Sequence, residues 1–135
     1  MKKIFENNFV EVMWDESKSY TRFTWKEGSI TMSDDEYKKI ISLWVTHAPY
    51  SCLVDARNLL YTISPEIQNW LQYETYQQAY DAGSRRVAFL VPNDLISSIA
   101  VEQLSDLSKE VGTVIIHYFS DEAQAVSWVL MKAAV

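Results

Sequence analysis

The sequence predicts an open, mixed α/β sheet of five strands, an N-terminal antiparallel hairpin followed by β–α repeats, as one domain over residues 1–135. Three observations predict it. Two stretches near the start alternate apolar and polar residues. Three short apolar runs follow, separated by segments of helical period. The three glycines and three prolines all fall at junctions, so long regular elements are joined by short turns. Two domains would leave each half of a 135-residue chain too small for a good core.

Phe9 to Asp15 sets Phe9, Glu11 and Met13 against Val10, Val12 and Trp14. Tyr20 to Lys26 sets Tyr20, Arg22 and Thr24 against Thr21, Phe23 and Trp25. The polar link Glu16-Ser17-Lys18-Ser19 makes the pair an antiparallel hairpin. Ser33-Asp34-Asp35-Glu36 is a capping box, and its acids suit the positive end of a helix dipole. That helix runs to about Ala48, with Tyr37, Ile40, Ile41, Trp44 and Ala48 on one face. Ser51 to Asp55 reads as a buried parallel strand. Ser64-Pro65-Glu66 opens a second helix, a cap followed by proline at the first helical position, which stops at Gly83. Val87 to Val91 is the next strand. Asn93 or Asp94 caps a third helix with Ile96, Ile99, Ala100, Leu104, Leu107 and Val111 inward. Val114 to Phe119 is the last strand. Ser120-Asp121-Glu122 caps a final helix with Ala123, Val126 and Val129 or Leu130 in contact.

Composition narrows the function. Twelve Lys and Arg against 18 Asp and Glu give a net charge of −6, which argues against binding nucleic acid or an anionic membrane. The single cysteine, Cys52, allows no intrachain disulfide. No apolar run approaches the ~20 residues of a spanning helix. Met1 to Asn8 holds a basic pair with no apolar run behind it, so no signal peptide and a cytoplasmic location are expected.

The segments Cys52-Leu53-Val54-Asp55-Ala56-Arg57-Asn58, Ser64-Pro65-Glu66 with Trp70, Arg86 to Pro92, and Tyr118 to Ala123 with Trp128, in this element order, resemble the STAS domain. Within it they are similar to small bacterial STAS-like proteins, also described as STAS/SEC14-like. The resemblance implies a non-enzymatic regulatory or protein-binding module. Its SEC14-like side implies an alternative, a domain that binds a small apolar ligand or lipid. The signalling members, the anti-sigma-factor antagonists, carry a phosphorylated serine in a D-S-S-G-type sequence. Here that region reads Thr62-Ile63-Ser64-Pro65-Glu66, without the acid or the glycine, so the fold carries over and the phospho-switch does not.

Open α/β sheets bind ligands at the carboxyl ends of their strands, where this chain places Asp55, Arg57 and Asn58, then Asn93 and Asp94, then Ser120 and Asp121. The last four are read as helix caps. Asp55 and Arg57 are needed for no cap. They pair with each other or hold a ligand, Arg57 contacting an anion. A receiver domain is rejected, because no lysine follows the last strand. His47, His117 and Cys52 form no set with metal-ligand spacing, so no metal and no cofactor are expected. No nucleophile elbow or phosphate-binding glycine loop is present, and no catalytic residue is assigned.

Aromatics make up 13% of the chain, and four of them, Trp70, Tyr73, Tyr76 and Tyr80, fall three or four apart on the second helix. At about 100° per residue the three tyrosines span one broad face, with Ile67 and Leu71 on the other flank of Trp70. One sheet cannot cover all of that. The tyrosines either coat a half-exposed flank, or form the interface of a homodimer or protein partner, or wall a pocket under Leu59-Leu60-Tyr61.

Overall fold

A computed structural model describes residues 1–95 and 113–131. Its sheet is open and mixed, with six strands and not the expected five. The strands are β1 (Lys2–Glu6), β2 (Val10–Asp15), β3 (Tyr20–Trp25), β4 (Ser51–Asp55), β5 (Arg86–Leu90) and β6 (Ile115–Phe119). They lie side by side in chain order. The pairs β1–β2 and β2–β3 are antiparallel, and β3 to β6 are parallel.

The additional strand is β1. Its register shifts between Lys3 and Phe5, so Ile4 and Phe5 both pack against the core. That bulge breaks the period of two by which a half-buried strand is recognised. The turn into β2 is tight. Asn7 Oδ1 accepts from the amides of Phe9 and Val10 at 2.8 and 3.1 Å. A Cβ on Gly28 would stand 2.3 Å from the Asn8 carbonyl oxygen, so only glycine lets these segments approach.

The hairpin alternates as its sequence indicates. Val10 faces Trp25 and Val12 faces Phe23 across the antiparallel pair, and the same face continues through Cys52 and Val87. Two helical segments cover this first face: α1 (Asp34–His47), and α2 (Pro65–Trp70) with α3 (Tyr76–Ala82). The capping box of α1 forms in both directions, Glu36 amide to Ser33 Oγ at 3.1 Å and Ser33 amide to Glu36 Oε1 at 3.0 Å. Tyr37, Ile40 and Trp44 are buried, and Trp44 Nε1 donates to Ser84 Oγ at 3.1 Å. Cys52 is buried there too, and burial pushes its thiol up to about 12, so it packs as a small apolar group.

The second segment ends at Gly83 in a left-handed conformation with φ 119°. Between α2 and α3, Leu71–Thr75 form a π turn. The buried positions explain it. Ile67, Leu71, Thr75 and Ala79 are spaced by four, and on a uniform α-helix such a stripe drifts by about 40° at each step. A wider turn at the middle step offsets most of the drift and keeps all four buried.

The other face of the sheet is covered by α4 (Glu122–Leu130), capped by Asp121, whose side chain accepts from the amides of Ala123 and Gln124. Ala125 and Val129 pack there against Tyr20, Leu53 and Ala88. The expected contact at Ala123 does not form. The helix begins only at Glu122, and its sheet-facing stripe is the pair Ala125 and Val129, which leaves Ala123 exposed. The expected third helix, from Asn93 or Asp94 to Val111, lies outside the described residues, which end here in a short 3₁₀ turn at Asn93–Leu95.

Two local substitutions test these helix ends. Ser64 Oγ accepts from the Ile67 amide, so Ser64→Ala costs about 1 kcal/mol in denaturant unfolding while Ser64→Asp is tolerated. Ala48 ends α1 at φ 47°, a conformation that strains any residue with a Cβ. Ala48→Gly therefore raises stability by ~1 kcal/mol, and a loss would contradict the left-handed cap.

Candidate functional site

Asp55 is the last residue of β4 and lies in the register opposite Thr24 of β3 and Leu90 of β5. Its side chain points to the face covered by α4 and is 8% exposed. The chain turns back directly after it. Arg57 donates its amide to Asp55 Oδ1 at 3.2 Å, its Nε to Oδ1 at 3.0 Å and its Nη2 to Oδ2 at 2.8 Å. This is a forked guanidinium–carboxylate pair, the geometry for which arginine is suited.

A second arginine joins from β3. Arg22 Nη2 donates to Asp55 Oδ2 at 3.2 Å and to Glu122 Oε1 at 2.8 Å, and its Nε donates to Thr24 Oγ1 at 3.3 Å. Arg57 Nη2 reaches the same Glu122 oxygen at 3.2 Å. Two guanidiniums from the sheet edge thus converge on one carboxylate oxygen from the first turn of α4. Burial opposes ionisation of Asp55, but the hydrogen bonds and charge of Arg57, aided by Arg22, outweigh it and hold the carboxyl below its ordinary value. The hydrogen bond and charge of Arg22 do the same for Glu122. All four groups are therefore charged at neutral pH.

The aromatic residues of the second helical segment do not share one environment. Tyr73, in the π turn, is 72% exposed. Tyr76 packs edge-on against Trp44 with ring centroids 6.0 Å apart. Tyr80 lies under the Arg85 guanidinium at 3.9 Å, and Trp70 under the Lys38 ammonium at 5.5 Å. The π turn makes the difference, because it rotates Tyr76 and Tyr80 relative to the positions a uniform helix gives them. Tyr61 stacks on Tyr37 at 4.8 Å and donates to the Asp34 carboxylate, so its loop covers Tyr37 and does not close over Tyr73.

Two other features were not legible as sites. A shallow groove of about 310 Å³ runs between β1 and α1, lined by Phe5, Asn7, Glu36, Lys39, Ile40 and Leu43. On the opposite face His117 stacks on Trp128 at 4.4 Å, and Arg86 lies over the same indole and donates to the Trp128 carbonyl at 2.8 Å. Arg22 and Glu122 went unassigned because they are 100 residues apart in the chain, and only the strand register and the start of α4 join them. Among the described residues no group of three or more His, Cys, Asp or Glu is arranged to hold a metal. Among the same residues, no helix is long and apolar enough to cross a membrane.

No family model, no curated protein and no solved structure matches the chain.

The cluster makes stability depend on pH. Because the Asp55 carboxyl is held low in the fold, its contribution is present above the unfolded value of about 3.9 and is lost as pH falls through the folded value. Asp55→Asn should cost ~2 kcal/mol at neutral pH, since it leaves Arg22 with one partner fewer in a half-buried position. The gap between wild type and variant, measured by urea unfolding, should close below about pH 4. A gap that is constant with pH would contradict the pairing.

Proposed function

We propose that the chain is a non-enzymatic, STAS-like module of the cytoplasm that works by binding protein, a second copy of itself first, through the outer face of α2, the π turn and α3. The observation that carries this is the composition of that face. Residues 65–82 contain no Lys or Arg, three exposed acids, Glu66, Glu74 and Asp81, and five side-chain amides, Gln68, Asn69, Gln72, Gln77 and Gln78. All five amides are exposed, with Tyr73 among them. By contrast, α1 exposes Asp34, Asp35, Glu36 and Lys39, an ordinary solvated face. Absence of lysine around an exposed aromatic is one compositional mark of a protein interface. Tyrosine also offers a large contact area with few rotors.

The same face is self-complementary. An isologous pairing has the same patch on both copies. With its two-fold axis at Tyr73 and the helices antiparallel, it sets Gln68 against Gln78 and Asn69 against Gln77. It also sets Glu66 against Tyr80, whose ring carries Arg85. Amide therefore meets amide at these positions, Glu74 meets Gln72 beside the axis, and the acid at one end meets a base at the other.

The β1–α1 groove favours a second reading, the SEC14-like one, in which Phe5, Ile40 and Leu43 hold a small apolar ligand. Its volume of about 310 Å³ stands at the lower end of the range for ligand sites. Native mass spectrometry of freshly purified protein reads this directly, as a stoichiometric small-molecule adduct on the chain.

Tyr73→Glu is the test of the first reading, because Tyr73 contributes least to the core of the four aromatics. Light scattering should give twice the chain mass for wild type and the single-chain mass for the variant, with an unchanged helical signal and melting temperature. A wild-type protein that stays monomeric at high concentration would sink self-association.

A further inference from the structure

We propose that Arg22 and Arg57 form an oxyanion-binding fork, in which the Glu122 carboxylate is a resident internal occupant that an incoming phosphate or carboxylate group displaces. The site lies on the face of the sheet opposite α2 and α3, so it stands independently of the binding surface proposed above.

Charge provides the first argument. Among the described residues two guanidiniums face one buried carboxylate, that of Asp55, and so leave one positive charge unanswered unless Glu122 is present. Asp55 is already committed to its forked pair with Arg57, which fixes the guanidinium plane. Arg22 is fixed in turn by Thr24 and Asp55. The fork is therefore held in position by groups other than its occupant, as a preorganised site requires.

Access is the second argument. The side chains of Glu122 and Arg57 are 48% and 45% exposed, so solvent reaches the oxygen on which the two arginines converge. A ligand oxygen entering there replaces one carboxylate oxygen by another of the same charge type, with two charge-assisted donors ready to receive it.

The third argument is that α4 does not need Glu122 to stay on the sheet. Ala125 and Val129 are fully buried, Ser51 Oγ donates to the Val129 carbonyl, and Arg86 donates to the Trp128 carbonyl. A purely structural tie at Glu122 would add little, since a half-exposed ion pair contributes weakly to stability. What the residue does is neutralise the fork while no ligand is bound.

The experiment compares wild type, Glu122→Gln and Glu122→Gln/Arg57→Gln. Each is titrated with sodium phosphate and separately with sodium acetate, against sodium chloride at the same ionic strength, and followed by the guanidinium resonances of Arg22 and Arg57. Glu122→Gln should bind phosphate or acetate at least about tenfold more tightly than wild type, because the internal competitor is gone. The double variant should lose that binding. Tighter binding of phosphate assigns a phosphoryl ligand, and tighter binding of acetate a carboxylate one. Arg57→Gln alone, at an exposed position, must remove whatever weak phosphate binding wild type has, which keeps the test valid if Glu122→Gln perturbs α4. Equal isotherms for wild type and Glu122→Gln, retention of binding without Arg57, or the same shifts in chloride would overturn the proposal.

Discussion

The parallel strands β3 to β6 follow one another across the sheet in chain order, and the direction never reverses. Parallel crossovers are right-handed, so successive connections in one direction fall on one side. Accordingly α1 and the α2–α3 segment share the first face. Among the described residues the opposite face is covered by α4, which packs on β4 to β6 and reaches Tyr20 at the start of β3. Beyond the reach of α4 that face carries ion pairs, with Lys3 and Lys26 both on Glu6 at 2.8 and 2.9 Å. A sheet wound in one direction also lacks the crevice that opens where strand order reverses, the usual ligand position in open α/β folds. Its charged cluster sits instead where β3 and the carboxyl end of β4 meet the start of α4.

Much of this was legible in the sequence because local physics decides it. The capping box at Ser33, the Ser64-Pro65 start, the Gly83 stop and the alternation of β2 and β3 each depend on residues within four positions of one another. The features that escaped are those in which a local period is broken or a contact is remote. The bulge in β1 hides a strand by placing Ile4 and Phe5 on the same side. The π turn redistributes Tyr73, Tyr76 and Tyr80, although the four-residue spacing from Ile67 to Ala79 carried its signal. Of the charged cluster, the Asp55–Arg57 pair lies two residues apart and was anticipated, whereas Arg22 and Glu122 are joined only by tertiary structure.

The two faces offer different chemistry. The first presents an amide-rich helix surface with one exposed tyrosine, backed by aromatic packing between Trp44 and Tyr76. Rich in amides and with no lysine or arginine of its own, it suits a protein surface more than a small molecule. The second presents two arginines fixed by a buried aspartate at the junction of β3, β4 and α4. An association site and an oxyanion fork on opposite sides of one sheet can operate without sharing a residue.

Hydroxyl-radical footprinting of the wild-type protein across a concentration series tests the association surface most directly, because it reads side chains in place without substitution. Labelling of Tyr73 and Trp70 should fall as the protein concentration rises, while the exposed Ile30 and Leu60 keep theirs. Unchanged labelling of Tyr73 in an associated state, or protection centred on Phe5 and Leu43 instead, would contradict the assignment of α2 and α3 as the binding face.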